Sequence, residues 1–201
     1  MKKKIVIFIS GKGTNALNII NQFRDSDKIS VTKVYSNNKN SPFFKSQNDL
    51  KIDTSYFSNE QLSFSVFEEL KIINPDLIVL AGFLKKIPNI YIDYFKNKII
   101  NIHPSILPSY GGKGMFGSKI HNEVIENNEI ETGITIHYVS DQYDSGEIIF
   151  QKKISIQEDD TPKSIEEKIH ILEYEYYPKV IQSILIKCCL LYTSDAADES
   201  V

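Results

Sequence analysis

An α/β fold built on an open, mostly parallel sheet is predicted by three features of this sequence. Short apolar runs rich in β-branched residues, at 4–10, 29–36, 77–81 and 98–102, alternate with segments of helical periodicity, the signature of strand–helix units in a parallel sheet. The first run passes through Ser10-Gly11-Lys12-Gly13-Thr14-Asn15 into a helical segment, so a glycine-bearing loop meets a helix amino terminus. The run at 98–102 leads into Asn101-Ile102-His103-Pro104-Ser105-Ile106-Leu107-Pro108. Prolines there stop further pairing, and the strand delivers an amide and an imidazole to the edge on which open α/β sheets bind ligands. The architecture expected is Rossmann-like, with flanking helices and an antiparallel strand addition near the C-terminal part.

The elements follow in order. Residues 4–10 read as a central strand buried on both faces. Leu17, Ile20 and Phe23 give the next segment one apolar face. A second strand is expected at 29–36, a short helix at 43–48 and a third strand at 52–57. Phe64, Phe67, Leu70 and Ile73 then form the core-facing stripe of a helix, which Asn74-Pro75 ends. After the strand at 77–81 come a helix at 89–94, the strand at 98–102 and a helix at 118–126 closed by Asn127 and Asn128. Residues 132–139 alternate like a half-buried strand, and 147–156 pair back antiparallel to them. Thr161-Pro162 opens a long helix that runs to about residue 187.

Length and composition narrow the classes. The 201 residues, 41% hydrophobic and 24% charged, suit one globular domain, placed at residues 1–187. A net charge of -3 argues against a broad nucleic-acid surface. No apolar stretch reaches the roughly 20 residues of a membrane span, and the first run is too short for a signal peptide. Adjacent Cys188 and Cys189 provide neither a disulfide framework nor a spaced metal site. A reducing, cytoplasmic setting fits. Residues 188–201 break the helical pattern and read as an irregular, non-native tail, the run from Cys189 to Glu199 resembling a translated sequencing adapter.

Three polar residues then stand out. Asn101, His103 and Asp144 each have a plain structural reading, but all are expected at the same sheet edge as the loop at residues 10–15. A histidine beside a carboxylate is held in one tautomer and its protonated form is stabilised, so it can donate to an oxygen gaining negative charge. An amide N–H can donate to the same oxygen, and the pair suits a tetrahedral acyl-transfer intermediate. There is no Gly-x-Ser-x-Gly elbow for a serine nucleophile. A zinc site of His103, His121 and His137 matches no strong ligand spacing, and no metal is expected. The loop at residues 10–15 lacks both the Gly-Lys-Ser/Thr ending of nucleoside triphosphatases and the third glycine of a dinucleotide fingerprint. Spacing alone leaves it a phosphate cradle or a tight turn.

Several motifs in one order resemble the phosphoribosylglycinamide formyltransferases, folate-dependent formyltransferases of purine biosynthesis. They are Ser10-Gly11-Lys12-Gly13-Thr14-Asn15, Leu80-Ala81-Gly82-Phe83, Asn101 to Pro108, Gly133-Ile134-Thr135-Ile136-His137 and Asp144-Ser145-Gly146. The resemblance implies transfer of a formyl group from 10-formyltetrahydrofolate, a co-substrate, to the amine of glycinamide ribonucleotide. It implies that Asn101 and His103 polarise the formyl oxygen, that His103 acts as general acid, and that Asp144 holds His103 protonated. It assigns the substrate phosphate to the backbone of Gly13, Thr14 and Asn15, and the ribose hydroxyls to Glu173. Folate is expected along Leu84, Lys85, Lys86 and Ile87, near Ile92, Ile99 and Asn101, with its pterin edge against the loop that begins at Val139. His121 and His137 match family histidines and are read as supporting residues. The partners implied are these small molecules, with no nucleic acid and no membrane, for a monomer or homodimer. Where Lys85 stands the family commonly has arginine, and residues 110–117 resemble one branch of the family, as a candidate lid.

The Asn-x-His-Pro and aspartate set also occurs in methionyl-tRNA formyltransferase and formyltetrahydrofolate deformylase. Each carries an extra domain for which 201 residues leave no room, and the loop at residues 10–15 favours the ribonucleotide enzyme. A noncatalytic nucleotide-binding regulator would leave the three polar residues unexplained.

Overall fold

A computed structural model describes residues 1–46 and 50–186. Seven strands form one sheet: β1 (Lys3–Ile9), β2 (Ile29–Ser36), β3 (Asp53–Tyr56), β4 (Leu77–Leu80), β5 (Ile99–His103), β6 (Glu131–Tyr138) and β7 (Ile148–Ser155), in the order β3-β2-β1-β4-β5-β6-β7. The first five are parallel, and β6 runs antiparallel to both neighbours. This is the expected open mixed sheet. The chain leaves β1 toward β2 and β3, then returns to build β4 and β5 on the other side, which puts the topological switch between β1 and β4.

Alternation along the central strands sorts the core into two layers. Ile5, Ile7 and Ile9 of β1, with Val79, Ile100, Ile134 and Ile136, lie beneath α1 (Thr14–Phe23) and the long α6 (Pro162–Ile186). Val6, Phe8, Ile78, Leu80 and Ile99 face the opposite way. They meet an aromatic layer of Tyr35, Phe57, Phe67, Phe83, Tyr91 and Phe95, drawn largely from β2, α3 (Ser65–Ile73) and α4 (Asn89–Tyr94). The fifth helix, α5 (Ser118–Glu126), buries Ile120 and Val124. Tyr177, fully buried, carries α6 onto the sheet by donating its hydroxyl to the carbonyls of Leu80 at 3.0 Å and Ile100 at 3.4 Å.

The long helix contains Pro178 in its interior, which removes an amide donor and frees the carbonyl four residues earlier. That carbonyl belongs to Tyr174, and Asn18 of α1 donates to it at 2.8 Å. The proline therefore creates an acceptor that fastens α1 to α6.

Three expectations are corrected. Phe64 is not in the core stripe: a capping box at Ser58 and Gln61 starts a separate short helix, α2 (Asn59–Ser63), before α3. Phe64 falls at the break between them, 78% exposed, while Leu62 and Val66 take the buried positions. Strand β6 is not half-buried. Residues 132–137 are buried on both faces, because its polar face, Thr135 and His137, is covered by the turn that follows β5 and the loop bearing Asp144. The expected helix at 43–48 is a 3-10 turn over Pro42–Ser46, and its last residues, like the tail at 188–201, lie outside the described residues.

Gly146 illustrates how tightly that loop is seated. A Cβ at this position would lie 1.7 Å from the carbonyl oxygen of Tyr138, so the close approach requires glycine. Gly146→Ala is expected to lower stability by about 1–3 kcal/mol through overpacking. Urea denaturation would check this, and an unchanged midpoint would contradict the packing described.

Candidate active site

At the switch between β1 and β4 the carboxyl ends of β1, β4 and β5 open into a cleft of about 530 Å³. Residues 11–15 after β1, residues 81–85 after β4 and residues 101–104 at the end of β5 form its floor. Residues 112–117, Asp144 and the inner face of α6, with Glu166, His170 and Glu173, form its walls. Asn101, His103, Asp144, Gly13, Thr14, Asn15, Glu173 and His121 are thus brought to one cavity.

Strand β5 explains the polar pair. Ile100 and Ile102 point into the α1/α6 layer while Ile99 begins the opposite face, so Asn101 and His103 continue that second face beyond the aromatic layer. Antiparallel register sets Asn101 beside His137 and His103 beside Thr135. Asn101 Nδ2 donates to His137 Nε2 at 3.2 Å, and His137 Nδ1 donates to the carbonyl of Tyr138 at 2.8 Å. Burial pushes the His137 imidazole below the usual histidine range, against smaller opposing contributions from the Tyr138 carbonyl and Asp144. A neutral ring suits the acceptor role of Nε2. The other N–H of the Asn101 amide is left for a ligand oxygen.

His103 is 3% exposed. Its Nε2 donates to the carbonyl of Tyr110 at 2.8 Å, and its Nδ1 faces Asp144 Oδ1 at 3.5 Å. Asp144 also lies 3.7 Å from His137 Nε2 and accepts from the Gly112 amide at 2.9 Å. One carboxylate therefore faces His103, holds the glycine-rich loop and lies beside the neutral His137 ring. Below it, Thr135 Oγ1 donates to the Ser105 carbonyl at 2.7 Å and accepts from Leu107 N at 3.0 Å and Gln151 Nε2 at 2.9 Å. These bonds, made through the backbone of residues 105 and 107, lock the turn that follows the Asn-x-His-Pro sequence onto β6 and β7.

Across the cleft, Gly13 occupies the N-cap position of α1, and no side chain caps that helix. Its first-turn N–H groups are consequently free for an anion. Asn15 Nδ2 donates to Glu173 Oε2 at 2.9 Å, whereas Asn15 Oδ1 is buried without a partner. Burial pushes the Glu173 carboxyl up to about 7, with the Asn15 hydrogen bond opposing and Glu166 adding to the shift. Burial also holds His121 below the usual histidine range, with Glu166 opposing, and its Nδ1 has no protein partner.

The residues expected to hold folate are dispersed. Leu84 lines the main cleft, Lys85 lines both it and an adjoining small pocket, and Lys86, Ile87 and Val139 line that pocket with Asn101, His137 and Asp144. Ile92 lies in a separate groove shared with Val139, and the Ile99 side chain is core. Glu166, His170 and the Tyr110 carbonyl are contributors that sequence reading missed. The two α6 side chains precede Glu173 by seven and three residues, a helical spacing that could have flagged them.

This chain belongs to the formyl transferase family, whose profile matches residues 3–181. It is 32% identical over 190 residues to phosphoribosylglycinamide formyltransferase of Bacillus subtilis, covering 91% of this chain and 95% of that one. It is also 32% identical over 191 residues to the chloroplastic phosphoribosylglycinamide formyltransferase of Arabidopsis thaliana, of which the match spans 65%. Among solved structures, phosphoribosylglycinamide formyltransferase of Coxiella burnetii superposes with a TM-score of 0.84 at 31% identity, over 93% of this chain and 89% of that one. The Bacillus halodurans enzyme gives 0.83 at 30% identity, over 95% and 100%. Among the described residues, no helix is long and apolar enough to cross a membrane.

The Glu173 shift predicts a pH dependence of stability. Its folded pKa lies above the ordinary value of 4.5, so this group's contribution is fully present below about pH 4.5 and is lost as pH rises through about 7. Glu173→Gln removes a cost on the order of 3 kcal/mol. The variant is expected to melt above the wild type near pH 8 and to match it near pH 4.5. Equal melting temperatures throughout would show that the carboxylate is not destabilised by its site.

Proposed function

We propose that this chain transfers the formyl group of 10-formyltetrahydrofolate to the amine of glycinamide ribonucleotide, a reading supported by relatives named as phosphoribosylglycinamide formyltransferases. The observation that carries the reading is the convergence of Asn101, His103 and Asp144 on one cleft with the uncapped start of α1 and Glu173. The first group supplies formyl transfer, and the second supplies recognition of a phosphorylated ribose.

In this reading the substrate amine attacks the formyl carbon and a C–N bond forms. Negative charge gathers on the former carbonyl oxygen, where the Asn101 amide and the His103 imidazolium donate hydrogen bonds. The bond from that carbon to N10 of the folate then breaks, and the proton lost by the amine ends on N10, relayed by His103 and Asp144. Asp144, in contact with both His103 and His137, balances the positive charge as it moves. The N–H groups of Gly13, Thr14 and Asn15 hold the phosphate, and Glu173 accepts from the ribose hydroxyls, exchanging its bond from Asn15 for bonds to the ligand. Folate lies along Lys85, Lys86 and Ile87 toward Val139, with Asn101 and Asp144 at the inner end of the small pocket. His121 supports the cleft wall. A cytoplasmic site of action belongs to this reading.

Purified protein is expected to consume 10-formyltetrahydrofolate only when glycinamide ribonucleotide is present. Turnover without that acceptor would instead indicate a deformylase, and absence of turnover with binding of neither substrate would indicate a regulator. His103→Ala is expected to lower kcat by roughly 10²–10³-fold, the usual effect of losing one oxyanion donor. Asp144→Asn should likewise lose most activity, with both variants melting as folded proteins. Near-normal rates in either would remove that residue from the mechanism.

A further inference from the structure

Residues 110–112, leading into the cleft wall that begins at Gly112, touch both members of the His103–Asp144 pair. The Tyr110 carbonyl accepts from His103 Nε2, and two residues on, the Gly112 amide donates to Asp144 Oδ2. Between them a Cβ on Gly111 would lie 2.6 Å from Leu107 Cδ2 and 3.3 Å from Asp144 Cβ, so the backbone packs closely against the Leu107 side chain and Asp144.

The backbone turn that aims the carbonyl is unfavourable for a residue with a Cβ. Tyr110 has φ of 56°, in the left-handed region that side chains other than glycine seldom adopt. Its ring hydroxyl donates to Glu129 Oε1 at 2.7 Å and accepts from Asn127 Nδ2 at 2.9 Å. Asn127 caps the carboxyl end of α5, so the phenol is tied to a helix terminus and not to the loop it stabilises.

We propose that Tyr110 is a positioning residue for His103: its hydroxyl, anchored on Asn127 and Glu129, holds the strained turn whose carbonyl fixes a proton on Nε2. A carbonyl only accepts. Nε2 therefore keeps its hydrogen in both ring states, and Nδ1, the nitrogen facing Asp144, is the one that gains and loses a proton during turnover. Without the anchor the turn relaxes, the carbonyl leaves Nε2, and the neutral ring divides between tautomers. Only one of these presents a free Nδ1 to the reacting groups.

The consequence for rate rests on the formyl-transfer reading, but the tautomer does not, so the experiment has two arms. In the first, nitrogen-15 spectra of the imidazole rings are recorded as the pH is raised until the His103 ring is neutral, the state in which its tautomer can be read. The sequence has four histidines, and His103→Gln identifies the signal of interest. The wild type is expected to show His103 as the Nε2–H tautomer, and Tyr110→Phe to move it toward a tautomer average. In the second arm Tyr110→Phe is expected to lower kcat by roughly tenfold while both KM values stay within about twofold, the split of a lost orienting contact. Glu129→Gln, which retains the tyrosine and a weaker acceptor, should give a smaller loss of the same kind. A second loss on adding Glu129→Gln to Tyr110→Phe should be negligible, since both act through one hydroxyl.

A Tyr110→Phe protein with the wild-type His103 spectrum overturns the proposal. So does one whose melting temperature falls while tautomer and kcat are unchanged, because the hydroxyl would then serve stability alone. If the wild type itself shows no acceptor-dependent turnover, the functional reading fails, and the spectra still decide the role of Tyr110.

Discussion

With Ile5, Ile7 and Ile9 beneath two helices and Val6 and Phe8 beneath an aromatic layer, the central strands have no open face, so ligand-binding groups are confined to the strand ends and to the loops leaving them. Strand β5 marks the transition. Its residues facing the aromatic layer change from Ile99 to Asn101 and His103 where that layer stops, while Ile100 and Ile102 keep the other face in the core. The same five-residue strand secures the sheet with one row of side chains and furnishes the cleft with the other.

Burying polar groups at this edge is costly unless each finds a partner. Here the partners come from elements distant in sequence. Asn101 takes His137 from β6, Thr135 and Gln151 take the turn that follows His103, and Asp144 receives the amide of Gly112. The opposite wall is less fully satisfied. Among the described residues, Asn15 Oδ1 and His121 Nδ1 lack protein partners, and Glu173 is a buried carboxyl that accepts from Asn15. Groups left in this condition beside an open cavity have bonding capacity to give to a ligand, at a cost to stability without one.

The two walls divide the chemistry. Asn101, His103 and Asp144 suit formyl transfer in general. The uncapped amino end of α1 and Glu173 suit a particular acceptor, and they belong to helices fastened to each other by Asn15 and by Asn18 on the carbonyl freed by Pro178. In the proposed reading, acceptor recognition depends on the docking of two helices, whereas the transfer machinery depends on strand register.

Much of this was legible in the sequence. Alternation and turn residues gave the strands and helices nearly in place, including Asn74 and Asn128 at left-handed positions that end helices, because local periodicity records which face is buried. The ordered motifs pointed to the cleft residues. Phe64 was misplaced because a capping box shifted the helix phase, and β6 because burial of Thr135 and His137 comes from loops that periodicity along one strand cannot register. Only the tertiary structure decided that His103 Nε2 meets the Tyr110 carbonyl, that Ile99 is core while Ile92 faces another groove, and that Glu166 and His170 line the cleft. Each of these depends on where separate elements dock, which is fixed by packing across the sheet edge and leaves no local pattern in the chain.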